Sequence, residues 1–331
     1  MVKKISEFSA IVPVAGEGTR LRPHTHTYPK VLLTVGAKPI IAHILDGLQN
    51  AGIKKVYMII GYLGDKIKDY VNANYPKLKV AYIIQEEAKG LGHAIWLAKN
   101  YVEGPALIML GDTILSADMK KFLKPGTNAL AVKEVKDPRR FGVVESKGGY
   151  VTKVVEKPQH PKTNTAIVGI YAFNNSSVLF GSLDKLVASG RKTKGEIQLT
   201  DALETVIKTG VKIKPITIDG WYDCGKPETL LSTNRYILKK KKLSAKRKGV
   251  IIIDPVYIAK TAKIQNSIIG PNVSIGKNAD ISHCIISDSI IGMDSSIANL
   301  NMSKSLVGVG AKLKGQVKKI NIGDDSEIIF E

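Results

Sequence analysis

Ser9-Ala10-Ile11-Val12-Pro13-Val14-Ala15-Gly16-Glu17-Gly18-Thr19-Arg20-Leu21-Arg22-Pro23, with Pro29-Lys30 shortly after, carries an apolar run into a glycine loop and then into basic residues. The run over 9–14 reads as a buried strand. Two glycines beyond it let backbone N–H groups approach a phosphate chain closely. Arg20 can grip phosphate oxygens through two parallel N–H groups, and Lys30 adds a point charge. No Gly-Lys-Ser/Thr follows, so this is not a Walker loop, and without a third glycine it is not the dinucleotide fingerprint. Two glycines beside an arginine are equally compatible with a plain structural turn.

Outward from this loop, strand-like and helix-like stretches alternate over about the first 235 residues. Residues 40–48 have helical apolar spacing, Lys55–Ile60 reads as a second buried strand, 91–98 as a helix and 106–110 as another buried strand. Continuous apolar strands between helices predict a parallel sheet covered on both faces. A strand-rich part follows at 129–134, 142–145, 151–156 and 166–173. Thr200 is placed as a helix cap before the periodic segment 202–207, and a last helix is expected over 227–238. The run at 106–110 delivers Gly111-Asp112 to the carboxyl end of a strand, where open α/β sheets bind ligands. An aspartate there can hold Mg²⁺ through hard oxygen ligation.

Near residue 250 the pattern changes. Isoleucines recur at Ile258 and Ile264, at Ile269, Ile275 and Ile281, and at Ile291 and Ile297, punctuated by Gly270-Pro271-Asn272 and Gly276-Lys277-Asn278. A hexapeptide period predicts a parallel β-helix, with about three hexapeptides per coil and about four or five coils, although the phase slips between blocks. Each short strand puts one aliphatic residue inside, and the corners take turn formers.

The chain has 331 residues, enough for two domains at roughly 150 each. Its 44% hydrophobic and 24% charged content is that of a globular protein and excludes disorder as the main state. Cys224 and Cys284 have no partner at metal-ligand spacing, which fits a reducing cytoplasm. No apolar run approaches the roughly 20 residues of a membrane span, and the glycine loop follows the first apolar run too soon for a signal peptide. The net charge of +20 favours polyanionic ligands. Its densest cluster, Lys239 to Lys242 with Lys246, Arg247 and Lys248, reads as a solvated helix end and linker. No zinc finger or interleaved aromatics accompany it, so neither nucleic acid nor membrane is the expected partner.

Further motifs follow in order. They are Gln85 with Lys89-Gly90-Leu91-Gly92-His93-Ala94; Leu110-Gly111-Asp112; Phe141-Gly142-Val143-Val144-Glu145; Val155-Glu156-Lys157-Pro158; Gly195-Glu196-Ile197-Gln198-Leu199-Thr200-Asp201-Ala202; and Trp221-Tyr222-Asp223-Cys224-Gly225-Lys226-Pro227-Glu228. Together with Gly16 to Arg20 and Pro29-Lys30, this series closely resembles the signature of the sugar-phosphate nucleotidylyltransferases over about residues 8–238. A hexapeptide-repeat tail is also familiar in that family. The resemblance implies an α/β, Rossmann-like mixed-sheet nucleotidyltransferase domain over 1–240, followed by a short left-handed parallel β-helix over 250–331.

It also implies roles. Arg20, Lys30 and Lys157 are the expected catalytic cations. Ala15, Gly16, Gly18, Thr19, Gln85 and Gly90 are expected to hold the nucleotide, Gln85 by hydrogen bonds to the base. Gly142 and Glu156 are expected to hold the sugar, and Asp112 with Asp223 the Mg²⁺ ion. The implied substrates are a nucleoside triphosphate, UTP or dTTP, and glucose 1-phosphate. Pyrophosphate leaves without a covalent enzyme intermediate. The glycine-loop and Lys89–Ala94 motifs look like uridylyltransferases, whereas Arg20 to Pro23 and Asp223 to Glu228 look like long thymidylyltransferases. His24, His26 and Cys224 depart from both patterns. Two alternatives are a non-catalytic regulatory or scaffold subunit, which need not keep the full charged set, and a bifunctional enzyme with an acyltransferase tail, for which His283 is the available histidine. The tail is expected to serve assembly or stability in a homo-oligomer, because the open end of a β-helix must be capped or paired.

Overall fold

The computed structural model describes residues 7–240 and 247–316. Lys241, Lys242 and Lys246 of the basic cluster, and 317–331 of the expected tail, lie outside the described residues. The chain forms two compact units. One comprises residues up to Leu33 with Lys38–Thr233, and the other comprises Thr34–Ala37 with the chain from Asn234 on.

In the first unit the chain runs β1 (Ser9–Pro13), α1 (Ile40–Asn50), β2 (Lys55–Ile60), α2 (Gly64–Asn74), β3 (Lys79–Ile84), α3 (Leu91–Trp96), β4 (Ala106–Met109) and β5 (Thr113–Ser116). It continues through β6 (Asn128–Glu134), β7 (Gly142–Lys147), β8 (Tyr150–Glu156), β9 (Thr165–Phe173), α4 (Ser176–Ala188), α5 (Leu199–Lys208), β10 (Ile213–Thr217), β11 (Gly220–Asp223) and α6 (Pro227–Lys239), whose residues from Asn234 on belong to the second unit. Nine strands make one mixed sheet in the order β8-β7-β9-β4-β1-β2-β3, with β6 pairing β9 and β10. Strands β4, β1, β2 and β3 are parallel, and β9 joins β4 antiparallel. The apolar runs read from the sequence are its buried centre: Ala10, Ile11 and Val12 of β1 and Leu107 and Ile108 of β4 are each wholly buried. Helix α1 buries Ile40, Ile41, Ile44, Leu45 and Leu48, the one-face spacing of an amphipathic helix.

The order places β2 on one side of β1 and β4 on the other. This reversal is a topological switch point, and the loops after β1 and β4 open a crevice there. The Gly111 N–H donates to the Pro13 carbonyl at 3.3 Å, so the glycine loop and Asp112 leave the sheet side by side.

Two local expectations change. Helix α3 ends at Trp96, because the N–H groups of Ala98 and Lys99 turn back to the carbonyls of Ile95 and Trp96, three residues behind, which tightens the last turns. Helix α5 begins at Leu199 with Gln198 in the cap position, so Thr200 is inside the helix. Its hydroxyl donates to Glu156 Oε2 at 2.9 Å, serving the site and not the helix end.

The second unit carries three four-stranded sheets of short parallel strands, the arrangement of the left-handed β-helix expected. Ile252, Ile269, Ile286 and Met302 stack in register. So do Ile258, Ile275, Ile291 and Val307, and Ile264, Ile281, Ile297 and Leu313. The register advances by seventeen residues at first (Ile252↔Ile269) and by sixteen later (Ile286↔Met302). Three full hexapeptides would need eighteen, and the shortened corners are the phase slips seen in the sequence. Corner residues adopt left-handed backbone and form three stacks: Asn266, His283 and Asn299; Asn272, Asp288 and Lys304; Asn278 and Asp294. Asn tolerates this conformation better than most residues, which explains the punctuation by asparagine.

Candidate functional site

Two cavities open at the switch point of the first unit, of 510 and 590 Å³. The first is lined by Ala15, Gly16, Gly18, Thr19, Arg20, Lys30, Gln85, Gly90 and Asp112. The second is lined by Arg20, Asp112, Gly142, Glu156, Lys157 and Asp223. Every candidate residue named from the sequence therefore faces one cavity or the other. Arg20 and Asp112 face both, as do Leu91 and Leu110.

The charges are arranged by strand pairing. Strands β5 and β11 form a two-stranded antiparallel ribbon in which Asp223 lies opposite Thr113, next to Asp112. The Cys224 N–H donates to the Asp112 carbonyl at 3.2 Å, which ties the two aspartates' backbones together. Lys30 Nζ lies 2.9 Å from Asp112 Oδ2, with the lysine side chain only 9% exposed. The Thr113 hydroxyl donates to Asp112 Oδ1 at 3.1 Å. Burial works against the Asp112 charge, but the Lys30 ammonium, the hydrogen bonds from Lys30 and Thr113 and the Arg20 charge outweigh it and hold the carboxyl below its ordinary value. Asp223 Oδ1 accepts the Gly225 N–H at 2.9 Å. A side chain at Gly225 would meet Arg20 Nη2 and Asp223 Oδ1, each at 2.9 Å, so glycine leaves room for both groups.

The second cavity is floored by β7 and β8, where Glu156 pairs Gly142. Lys157 Nζ lies 3.3 Å from Glu156 Oε1, and the Lys157 N–H donates to the Phe141 carbonyl at 3.1 Å. A side chain at Gly142 would strike the Thr200 methyl at 2.8 Å and Glu156 Oε2 at 3.2 Å, so glycine keeps that floor open. Phe141 packs edge-on to Trp221 with ring centroids 4.7 Å apart. Arg139, Arg140, Thr200 and Trp221 also line this cavity. They were not singled out as site residues in the sequence. The arginines sit immediately before Phe141-Gly142, and that adjacency was the available signal.

In the first cavity Gln85 follows β3, its backbone N–H donating to the Ile60 carbonyl at 2.8 Å. Gly90 has φ of 106°, and a side chain there would lie 2.7 Å from the Ile197 carbonyl, so only glycine closes this wall. Ile197 belongs to the segment just before α5, and its N–H donates to the Lys89 carbonyl at 2.9 Å.

Asp112 faces both cavities and Asp223 faces the second, and no cluster of three or more His, Cys, Asp or Glu side chains suited to a metal occurs among the described residues. This hard-oxygen donor pair suits Mg²⁺, which is usually held by one or two carboxylates together with substrate phosphates and water. No helix among the described residues is long and apolar enough to cross a membrane.

The nucleotidyl transferase family model matches residues 9–240. The low-salt glycan biosynthesis nucleotidyltransferase Agl11 of Haloferax volcanii is 31% identical, over 95% of this chain and 97% of the relative. The bifunctional protein GlmU of Methanococcus maripaludis is 38% identical over 80% of this chain, which spans 62% of that relative's length. Among solved structures, a UDP-glucose pyrophosphorylase complexed with UDP-glucose matches with a TM-score of 0.64 at 26% identity, covering 71% of this chain and 100% of that one. With the family model matching most of the chain and a relative matched over nearly its whole length, the chain belongs to the nucleotidyl transferase family, among its sugar-phosphate nucleotidyltransferases.

Proposed function

We propose that the protein joins UTP, or dTTP, to glucose 1-phosphate, making a nucleotide sugar and releasing pyrophosphate. The observation that carries this reading is the pair of cavities meeting at Arg20 and Asp112. A nucleotide in one and a sugar phosphate in the other bring their phosphates to a common point between Arg20, Lys30 and Lys157. An oxygen of the sugar 1-phosphate attacks the α-phosphorus. A new P–O bond forms there, the bond from the α-phosphorus to the bridging oxygen breaks, and the electron pair leaves with pyrophosphate. Lys157 and Arg20 orient the two reacting phosphates, and Lys30 places its charge against the triphosphate. Glu156, fixed by Thr200 and Lys157, accepts from sugar hydroxyls. Asp112 and Asp223 would hold the Mg²⁺ ion, which when bound supplies charge neutralisation. Such a reaction needs positioning and electrostatics and no covalent intermediate.

The likeness to a UDP-glucose pyrophosphorylase supports a uridine nucleotide and glucose. The decisive experiment is a pyrophosphate-release assay with five triphosphates and several sugar 1-phosphates, with and without chelator. Turnover with UTP or dTTP and glucose 1-phosphate that stops in chelator is expected. No turnover with any pair sinks the reading in favour of a non-catalytic scaffold subunit. The likeness to a bifunctional protein keeps a second activity in view, with acyl transfer by the tail as the alternative, but His283 occupies a left-handed β-helix corner with its Nε2 3.2 Å from Asn266 Nδ2, stacked between Asn266 and Asn299. That environment supports a structural histidine. Acetyl transfer from acetyl-CoA to an amino-sugar phosphate would contradict it.

A further inference from the structure

We propose that His93, which lies behind the nucleotide cavity, is a positioning residue that fixes the direction of the Gln85 amide and so selects bases presenting a ring N–H. This rests on the reading of that cavity as the nucleotide site.

The argument begins with the amide's hydrogens. Gln85 Nε2 lies 3.1 Å from His93 Nδ1 and 3.4 Å from the Gly90 carbonyl oxygen. An amide NH₂ has two hydrogens and can only donate. His93 Nδ1 must therefore accept, which puts the imidazole proton on Nε2. Both amide hydrogens are then directed into the protein, and Oε1 is what remains for a ligand. The Gly90 carbonyl can only accept, so it identifies the amide end on this side as Nε2, and the shorter His93 contact holds that end in place when Nδ1 carries the lone pair.

The imidazole is itself held. Its ring stacks on Trp96 with centroids 5.6 Å apart and planes 28° from parallel. Trp96 Nε1 donates to Asp184 Oδ1 at 2.7 Å, and the Lys99 ammonium reaches the same oxygen at 2.6 Å. Burial, and then the Lys89 charge, push the His93 pKa down against the opposing pull of Glu87, which favours the neutral ring that the geometry requires.

An acceptor facing the base discriminates by ring protonation. Uracil and thymine present N3–H to it. Cytosine N3 and adenine N1 present lone pairs, which oppose Oε1. Guanine carries an N1–H but has a second ring to accommodate. The residue that touches the base is Gln85; His93 decides which end of that amide the base meets.

The test uses the full chain and pyrophosphate release, comparing kcat/KM for UTP and CTP with glucose 1-phosphate. His93→Phe keeps a ring against Trp96 and removes the acceptor. It is expected to lower the UTP-to-CTP ratio about tenfold, the scale of one net hydrogen bond. The change should come through KM for UTP, with KM for glucose 1-phosphate unaltered. His93→Asn, whose side-chain oxygen reaches the place of Nδ1, should recover most of the ratio. A His93→Phe protein that melts like the wild type and keeps the wild-type ratio overturns the inference. So does a uniform loss with every triphosphate, which marks a purely structural role. Nitrogen-15 NMR of the wild-type imidazole gives a reading independent of any variant: the Nε2–H tautomer is expected, and a proton on Nδ1 overturns the proposal. Wild-type turnover with UTP alongside any of those contrary results defeats this inference alone. A wild type inactive with every triphosphate defeats the proposed function and this inference with it.

Discussion

At the scale of single residues, the site is a balance of cations against two aspartates. The Lys30 side chain is nearly covered and its ammonium rests on Asp112, so the two charges hold each other in place before any substrate arrives. Arg20 and Lys157 are separated by function in the proposed reaction. Arg20→Ala is expected to raise KM for the triphosphate, and Lys157→Ala to raise KM for the sugar phosphate, each costing about 1.5–3 kcal/mol in kcat/KM. Initial-rate kinetics with each substrate varied in turn will check this. Equal damage to both substrates in both variants contradicts the division. A second residue-scale expectation concerns stability. Burial opposes the Asp46 charge, but hydrogen bonds from Lys38 and Tyr75 and the Lys38 charge prevail and lower its pKa. A carboxyl whose folded pKa is depressed stabilises the fold above its unfolded value and loses that contribution as pH falls through the folded one. The melting-temperature gap between wild type and Asp46→Asn should therefore be level from about pH 5 to 8 and close below about pH 4. A gap that widens on acidification refutes it.

At the scale of elements, sequence period and backbone conformation tell the same story in the β-helix. The aliphatic stacks were visible as recurring isoleucines, and the corners as asparagines. What the sequence could not show was which corner loses a residue, because that depends on how the strands register between coils. Asn278 has φ of 56° and its Nδ2 donates to Asp294 Oδ1 at 2.9 Å. Asn278→Val puts a β-branched residue in left-handed backbone and removes that bond, and should cost about 1–2 kcal/mol of stability. Asn278→Gly should cost less, since glycine carries no such strain. Thermal melts of the two variants decide it, and equal losses argue that the hydrogen bond and not the backbone governs this corner. In the first unit, Thr200 shows how a local rule is overridden. A threonine before an apolar-periodic run reads as a cap, yet its hydroxyl is worth more against the Glu156 carboxylate, to which a charge-assisted hydrogen bond forms.

At the scale of the whole molecule, remote segments are joined by buried polar contacts. Asn234 is 0% exposed. Its Oδ1 accepts the Gly36 N–H at 2.8 Å and the Ser274 hydroxyl at 2.7 Å, and its Nδ2 donates to the Asn272 carbonyl at 3.1 Å. This network explains why Thr34–Ala37 groups with the chain from Asn234 on, although Gly36 and Asn234 lie 198 positions apart. Asn234→Ala would leave those partners buried without it, at a cost of at least about 2 kcal/mol. Chemical denaturation of the variant tests this, and a loss within error of zero shows that water replaces the amide.

The sequence by itself determined the family, the order of the motifs, the buried strands of the sheet and the repeat of the tail. Each of these is written in local pattern: apolar period, glycine loops and punctuating asparagines. Only the tertiary structure decided that the candidate residues divide between two cavities meeting at Arg20 and Asp112, that Asp223 reaches Asp112 through a strand ribbon, and that Gln85 spends both amide hydrogens on its own protein. The physical reason is the same in each case. Hydrogen bonds and charge contacts act over a few ångströms in space, and nothing in the spacing of residues along the chain records which distant groups the sheet and its loops bring within that reach.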